Sequence, residues 1–360
     1  MTTENLSLSE HFVSLSQHLT TPEEQKDLQA FNTLGFPARA DYFCQPESVD
    51  ECRRALDWAS EHGQPVFALG DGSNLILAAD ISGLTLQMNN QHRYYQPQPD
   101  GSVLLGVGAG VVWHDLVMET VKKGLYGLEN LALIPGRVGA APVQNIGAYG
   151  TELADLLESV ETVRVCDRQL SVLTRDECQF GYRDSIFKSD AYQQGADYQS
   201  IITGLVLRLQ TKAEPRLGYG DLAAQLEGQE ITPLAIAEAV CSIRRSKLPD
   251  PAEVGNAGSF FKNPIISNAQ AEALKERYPE MPLYPAGTGL KKLAAGWLIQ
   301  QCGFKGTRRG AVGIYPKQAL VLVHYGNGRA CELLELADEV VTEVRRRFQV
   351  ELEREPQLIS

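Results

Sequence analysis

The segment from Ile134 to Gly150, which reads IPGRVGAAPVQNIGAYG, constrains this chain more than any other. Four glycines and three alanines stand around Gln144 and Asn145, and few of its side chains could fill a hydrophobic core. Glycine leaves main-chain N–H and C=O groups uncovered, and side-chain amides offer donors and acceptors to a planar polar ring. The segment therefore indicates a loop that approaches a ligand closely; a plain Gly/Ala loop between two strands is the alternative.

The composition is that of a globular protein with ordinary cores. The chain has 360 residues, 43% of them hydrophobic, which is enough for two or three domains. A net charge of −12 argues against binding nucleic acid or an anionic membrane surface. The seven cysteines contain no C-x-x-C pair, which argues against a zinc site or a disulfide framework and favours a reducing cytoplasm. The polar start MTTENLSLSE gives no export signal, and no run is long enough to span a membrane.

A glycine turn follows a predicted strand. Residues 65–69 (PVFAL) indicate a buried strand that runs directly into Gly70-Asp71-Gly72-Ser73-Asn74, before a second apolar triplet at 75–77. Successive main-chain N–H groups in such a turn can face one concavity and bind phosphate, with Ser73 and Asn74 adding side-chain hydrogen bonds. An ordinary hairpin turn is the alternative.

The two glycine segments together suggest a flavin dinucleotide. No G-x-G-x-x-G frame fits the glycines at 106, 108 and 110, and no G-x-x-x-x-G-K-[ST] occurs, so a Rossmann domain and a P-loop are disfavoured. A turn that holds phosphate and a separate loop that holds a ring match a cofactor with a diphosphate and a large polar-edged ring.

The second half of the chain predicts another domain. Helical patterning over 233–247 is stopped by Pro249 and Pro251, and the second domain is expected to begin there. Further elements are predicted as helices near 269–277, 290–302 and 329–348 and as an apolar strand at 319–323. These elements predict a small α/β layer.

A serine stands beside aromatic and basic residues in the segment NAGSFFKNP, residues 256–264. Ser259 precedes two phenylalanines, with Lys262 close behind, so its hydroxyl would lie in an apolar wall near a cation. A nucleophilic serine needs a partner base, and none of the six histidines stands in a recognisable frame. Proton donation is therefore the better role for Ser259, and capping a turn is the alternative.

A family resemblance joins these segments. With FGYRDSIFK (180–188), GYGD (218–221), KLPDP (247–251) and the terminal LERE (352–355), they resemble the UDP-N-acetylenolpyruvoylglucosamine reductases, also called UDP-N-acetylmuramate dehydrogenases, the flavoenzymes of early peptidoglycan synthesis. The resemblance covers nearly everything from Asn32 to Glu355 in the family's order. The GYGD loop is similar to the longer of two family subtypes, in which a tyrosine closes over the substrate.

The resemblance implies an α+β fold. A FAD-binding domain of the vanillyl-alcohol-oxidase (PCMH) type, in two α/β subdomains, would span 37–212, and a smaller α/β substrate-binding domain would span 241–348. A polar N-terminal tail at 1–31, a tyrosine loop and linker at 213–240, and a C-terminal strand at 349–360 that returns to the flavin site complete the expected organisation.

The reaction implied by the resemblance is NADPH-dependent reduction of UDP-N-acetylglucosamine enolpyruvate, with non-covalent FAD as cofactor and no metal. Hydride from the reduced flavin would reach the methylene carbon, Ser259 would protonate the enolate, and Arg183 and Glu355 would hold and polarise its carboxylate end. The implied cofactor-binding residues are Gly70, Asp71, Gly72, Ser73, Asn74, Ile134, Gly136, Gly139, Gln144, Asn145 and Gly147. The implied substrate-binding residues are Tyr219, Lys247, Lys262, Asn263 and Gln318.

The two lysines would pair with the substrate diphosphate. Solvated lysines and turn residues are the alternative for the substrate-binding set. We expect a cytoplasmic monomer whose partners are the enolpyruvyl sugar nucleotide and NADPH, with no nucleic acid and no membrane.

One departure from the family pattern concerns the C-terminal strand. The family has Leu-Glu-Pro-Glu, whereas Arg354 here occupies the proline position. Glu355 keeps the catalytic register, but Glu353 would share its face of a strand and could substitute for it.

Two other functions remain open from the sequence. One is a sugar-nucleotide binding protein that has lost its chemistry. The other is a different FAD-dependent oxidase of the superfamily, which commonly tethers FAD through a histidine or cysteine; neither glycine segment contains such a residue.

Overall fold

A computed structural model describes residues 21–190, 192, 198–212, 215–218 and 220–360. The seven α-helices within these ranges are α1 (Val49–Glu61), α2 (Trp113–Lys122), α3 (Leu222–Gln225), α4 (Pro233–Lys247), α5 (Asn268–Arg277), α6 (Ala295–Gln301) and α7 (Ala330–Phe348). None of the helices in this part of the chain is both long and apolar enough to cross a membrane.

The strands over the same ranges run from the N-terminal part to the C-terminus. They are β1 (Glu23–Asp27), β2 (Arg39–Cys44), β3 (Val66–Ala68), β4 (Leu75–Leu77), β5 (Ile81–Leu86), β6 (Arg93–Pro97), β7 (Ser102–Gly108), β8 (Gly147–Ala148), β9 (Thr151–Glu152), β10 (Leu157–Arg164), β11 (Leu170–Thr174), β12 (Ser200–Gln210), β13 (Gly255–Asn256), β14 (Ile265–Ser267), β15 (Leu283–Pro285), β16 (Leu290–Leu293), β17 (Arg308–Arg309), β18 (Val312–Ile314), β19 (Leu322–His324) and β20 (Gln357–Ile359).

The chain divides into two compact units, each built from separated segments. The first contains Ala40–Asp71, Ile81–Ser246 and the described residues up to Lys26. The second contains Asp27–Arg39, Gly72–Asp80 and Lys247–Ser360. The glycine turn at 70–74 is thus the point at which the chain leaves the first unit.

Among its described residues the first unit contains two larger sheets and the two-stranded sheet β8-β9. The larger is antiparallel, in the order β11-β10-β12-β7-β6, and its apolar face packs with α2 through residues such as Leu105, Leu207 and Trp113. The smaller has the order β1-β2-β5-β3, with β2 and β3 both parallel to β5. Helix α1 covers it with Cys52 and Leu56, and begins where the Ser48 hydroxyl accepts the Glu51 N–H at 3.2 Å, a side-chain N-cap.

Helix α4 corrects the predicted domain boundary. The resemblance implies a linker at 213–240 and a substrate domain from 241 onward, but α4 packs into the first unit's core with Ile236, Val240 and Ile243. Its apolar residues recur at helical spacing and need an apolar partner, which the large sheet supplies. The first unit therefore extends to Ser246 rather than 212.

The second unit surrounds its own core. Helix α7 packs against the antiparallel sheet β13-β19-β18-β17, and a second antiparallel sheet has the order β14-β16-β15.

The predicted helix at 290–302 is wrong in its first part. Residues Leu290–Leu293 instead form β16, which pairs with strands on both sides, and α6 begins only at Ala295. Pairing with two neighbours overrides a helical pattern of this length.

A strand lies near each end of the described chain. The expected polar tail at 1–31 lies partly outside the described residues, but Glu23–Asp27 forms β1 within the small sheet. At the C-terminus β20 pairs in parallel with β4, with Gln357 opposite Leu75. The last strand thus lies beside the strand that follows the glycine turn.

Candidate active site

The long glycine loop of the first unit is held against the end of β7. The N–H of Val138 donates to Val111 C=O, and the N–H of Gly139 donates to Ala109 C=O, both at 2.9 Å. A Cβ at Gly139 would lie 2.7 Å from the Ala109 Cβ, so this position needs glycine for packing. Part of the glycine content therefore serves close approach between protein segments rather than approach to a ligand.

The same loop is joined to the start of the glycine turn. Arg137 Nε donates to Asp71 Oδ1 at 2.6 Å, and a Cβ at Gly70 would lie 3.1 Å from the Ala140 Cβ. The first two residues of the glycine turn, Gly70 and Asp71, thus lie beside the long glycine loop in the first unit. Arg137 is a residue that the sequence argument missed, because a lone arginine in a glycine-rich run gives no signal of its partner.

Asn145 uses its side chain within the protein. Its Nδ2 donates to Glu152 Oε2 at 2.8 Å and to Gly181 C=O at 3.1 Å, and its Oδ1 accepts the Ala154 N–H at 3.0 Å. The residue is buried and has a φ of +46°, in the left-handed region. Asn145 therefore fixes the loop to the segment that carries Arg183, while Gln144 beside it is half-buried.

Arg183 lies next to this loop in a strained conformation. Its φ is +55°, a value that non-glycine residues rarely adopt, and such strain clusters at functional sites. One Nη2–H donates to Gly147 C=O at 2.7 Å, and a Cβ at Gly147 would lie 2.9 Å from Nη1. Gly147 therefore leaves room for the guanidinium.

A second arginine, Arg244, lies near Arg183 and was not predicted. It follows Ile236 and Val240 at four-residue spacing on the buried side of α4, and this placement is the signal that sequence reasoning could have used. Its Nε is buried and has no hydrogen-bond partner among the described residues. Burial lowers the pKa of Arg244; Tyr149 and Cys241 oppose this effect, and the nearby Arg183 adds to it. Two cations at one place favour an anion there.

In the second unit, the rest of the glycine turn contacts the C-terminal strand. Gly72 has a φ of +58°, and a Cβ there would lie 2.5 Å from Phe31 C=O, so only glycine fits. Asn74 Nδ2 donates to Glu355 C=O at 3.3 Å, and Asn74 C=O accepts the Gln357 N–H at 3.0 Å. The turn and the predicted catalytic glutamate are thus adjacent.

Ser259 lies on the segment that pairs with that strand. The N–H of Glu355 donates to Phe260 C=O at 3.0 Å, directly beside Ser259. Ser259 is exposed between buried Ala257 and Phe260. Within the described ranges its hydroxyl makes no hydrogen bond to another residue, so the turn-capping alternative gains no support.

The structure distinguishes the two C-terminal glutamates. Glu355 is buried, with 9% of its surface exposed. The Glu353 side chain is 72% exposed and pairs with Lys262, whose Nζ lies 2.6 Å from Oε1. Arg354 forms an antiparallel bridge with Phe261. The flanking ladder bonds use the C=O of Glu353 and the N–H of Glu355, so Arg354 can replace a proline without loss of register.

Two of the predicted substrate residues meet at the start of α6. Asn263 Oδ1 accepts the Ala295 N–H at 3.0 Å, and a Cβ at Gly296 would lie 3.0 Å from Gln318 Oε1. Lys247 is exposed at the end of α4. Tyr219 lies outside the described residues.

Comparison with known proteins covers both units. Residues 250–359 match the family model described as UDP-N-acetylenolpyruvoylglucosamine reductase, C-terminal domain, and residues 40–170 match the FAD binding domain model. The chain is 44% identical over 345 residues to the UDP-N-acetylenolpyruvoylglucosamine reductase of Alcanivorax borkumensis, covering 95% of this chain and 97% of that protein. It is 45% identical over 338 residues to the Chromobacterium violaceum protein of the same name, covering 92% and 97%.

A solved structure agrees with these matches. The crystal structure of the UDP-N-acetylenolpyruvylglucosamine reductase from Thermus caldophilus superposes with a TM-score of 0.64 at 26% identity, covering 94% of this chain and all of that chain. The predicted α+β fold with an FAD-binding domain is confirmed.

His114 gives the loop a testable pH dependence. Its Nδ1 accepts the N–H of Leu133, which has a φ of +60° directly before the glycine loop, at 3.0 Å. Burial lowers the pKa of His114. The negative charge of Asp115 raises it, whereas the positive charges of Arg245 and Arg244 lower it further. His114 has a pKa of about 6.5 in the unfolded state and a lower one in the folded state, so below about pH 6.5 the unfolded state binds more protons than the folded state. The free energy of unfolding should therefore fall as the pH drops from about 6.5 towards the pKa of the folded state.

We expect His114→Ala to cost about 1 kcal/mol of unfolding free energy at pH 8, with a difference that shrinks as the pH falls below 6.5. Urea denaturation across the pH range measures this. A difference that stays constant with pH would contradict the assignment.

Proposed function

This chain belongs to the UDP-N-acetylenolpyruvoylglucosamine reductase family, and from that premise we propose that it reduces the enolpyruvyl ether of UDP-N-acetylglucosamine to UDP-N-acetylmuramate with NADPH as donor. The observation that carries the proposal is the pairing of the Ser259 segment with a buried Glu355. A bound FAD would supply the hydride chemistry that links oxidation of NADPH to reduction at the methylene carbon of the substrate.

The residues of the glycine segments fit this cofactor. The turn at Gly70–Asn74 would hold the diphosphate through main-chain N–H groups, and Ile134, Gly136, Gly139, Gln144, Asn145 and Gly147 would surround the ring. The buried Arg244 Nε, which lacks a partner among the described residues, suits a site that receives an anionic group. Asn145 would contribute by fixing the loop, since its side-chain donors and acceptor are engaged.

Ser259 would donate the proton to the enolate carbon. Its exposed hydroxyl can face a ligand, and the buried T-shaped pair Phe260–Phe261 anchors the segment that carries it in the core of the second unit. A serine hydroxyl is a weak acid, so the transfer needs positive charge that stabilises the developing alkoxide.

Arg183 and Glu355 would act on the carboxylate end of the enolpyruvyl group. A guanidinium that is already oriented, as the bond from Arg183 to Gly147 C=O provides, stabilises negative charge without reorganisation in the reaction. Glu355 is the proposed carboxylate because it is buried and lies beside Ser259, whereas Glu353 is exposed and paired with Lys262.

The sugar nucleotide would bind to the second unit and to the tyrosine loop. Asn263 and Gln318, which meet at the start of α6, and the cations Lys247 and Lys262 form the proposed contacts. Tyr219 keeps its proposed role as the residue that closes over the substrate. The proposed working form is a cytoplasmic monomer.

The two rival functions make different predictions. A binding protein without chemistry would bind the sugar nucleotide but would not oxidise NADPH, so calorimetry together with an NADPH oxidation assay distinguishes it from the reductase. An oxidase of the superfamily would commonly tether its flavin. Release of free FAD on denaturation would therefore argue against a tethered oxidase.

Ser259→Ala is expected to leave flavin reduction by NADPH unchanged and to slow flavin reoxidation by the enolpyruvyl substrate by about 10²- to 10⁴-fold. The fold should be unaffected because Ser259 is exposed. Stopped-flow absorbance measures each half-reaction separately, with Ser242→Ala, an exposed serine on α4, as the control. Equal losses in both half-reactions would rule out proton donation by Ser259.

Glu355→Gln is expected to lower turnover by about 10²- to 10³-fold, whereas Glu353→Gln should stay within about threefold of wild type. The two substitutions are matched in chemistry and lie two residues apart, so they separate the buried carboxylate from the exposed one. Steady-state NADPH oxidation measures both variants. A large loss in Glu353→Gln with an active Glu355→Gln would place the catalytic carboxylate at Glu353.

A further inference from the structure

We propose that Arg137 is a positioning residue for FAD, which fixes the diphosphate turn against the ring-binding loop through its ion pair with Asp71. The inference rests on the proposed assignment of the two glycine segments to the cofactor. It adds a role for Arg137 that neither the motifs nor the catalytic residues require.

The Arg137 guanidinium joins three separate parts of the first unit. Nε donates to Asp71 Oδ1 at 2.6 Å, while Nη1 donates to Asn89 Oδ1 at 3.0 Å and to Gly110 C=O at 3.1 Å. The side chain is 18% exposed and that of Asp71 is 32% exposed, so the pair is partly shielded from water. A charged donor with several acceptors in such a place orients its partners strongly.

The backbone around Arg137 is fixed independently of this pair. Residue 137 forms an antiparallel bridge with Val112, Gly136 C=O accepts the Trp113 N–H at 2.9 Å, and Val138 donates to Val111. These main-chain bonds therefore hold the ring-binding loop in place without the ion pair. Asp71, by contrast, stands between two glycines, whose backbone loses more conformational entropy on ordering than that of other residues. The ion pair fixes the start of the turn, at Gly70 and Asp71, before the ligand arrives, and such preorganisation raises affinity.

The ion pair also reduces the repulsion between the Asp71 carboxylate and a bound diphosphate. Asp71 places a carboxylate within a turn that is proposed to bind a diphosphate, and like charges at close range repel each other. Arg137 compensates that charge. Removing Arg137 alone should therefore weaken FAD binding more than removing both partners, since the single change leaves the Asp71 carboxylate uncompensated beside the phosphates.

The test is a double-mutant cycle on FAD affinity in the full-length apoprotein, followed by quenching of flavin fluorescence. We expect Arg137→Gln to raise the Kd for FAD by about 10- to 100-fold, and the double variant Arg137→Gln with Asp71→Asn to bind more tightly than Arg137→Gln alone. Arg137→Lys keeps the charge but not the set of directed bonds, and should fall between wild type and Arg137→Gln. Asp57→Asn, which breaks the Arg168 pair elsewhere in the first unit, should leave the Kd unchanged.

The outcomes are distinguishable from those of the proposed function. If wild-type protein does not bind FAD, the cofactor assignment itself fails. If wild type binds and Arg137→Gln binds equally well, the inference is overturned while the proposed function stands. Losses that are additive over the cycle, with the double variant weakest, would also overturn it, because they would show that Arg137 and Asp71 act without coupling. Urea denaturation of each apoprotein separates a loss of affinity from a loss of folding.

Discussion

The short antiparallel pairing between residues 260–262 and 353–355 is the interaction on which the polar arrangement of the second unit depends. Two main-chain bonds, from Glu355 N–H to Phe260 C=O and from Lys262 N–H to Glu353 C=O, fix the C-terminal segment beside Ser259. The chain then enters β20, which pairs with β4 directly after the glycine turn. A serine, a buried carboxylate and the turn are thus brought together by backbone bonds, which do not depend on side-chain identity at position 354.

Glycine serves two purposes in this protein. At Gly72 and Gly139 a side chain would collide with neighbouring protein atoms, so these residues are needed for packing whatever the ligand. At Gly147 the missing side chain leaves room for the Arg183 guanidinium, which links the loop to a predicted catalytic group. The same local composition therefore supports the fold and the site, and a glycine-rich run alone does not tell the two apart.

Much of the fold and part of the site could be predicted from the sequence. Apolar periodicity was enough for α4, α5 and α7, which the sequence predicts at 233–247, 269–277 and 329–348, because local signals and burial agree there. The motifs pointed to Ser259 and Glu355 as functional residues, but not to the main-chain pairing that brings their segments together. Partners distant in sequence could not be predicted: Arg137 with Asp71, the packing of α4 on the first unit, and β16 at 290–293 all depend on contacts that no local pattern encodes. Arg244 carried a signal, a cation on an apolar helical face.

The measurement that tests the central claim most directly is an anaerobic two-step reaction of the purified holoprotein. One equivalent of NADPH is added and the flavin absorbance is followed, and UDP-N-acetylglucosamine enolpyruvate is then added. The account predicts that the flavin bleaches with NADPH and that its absorbance returns with the enolpyruvyl substrate, with UDP-N-acetylmuramate as product. A flavin that bleaches but stays reduced after the second addition would contradict the proposed reaction.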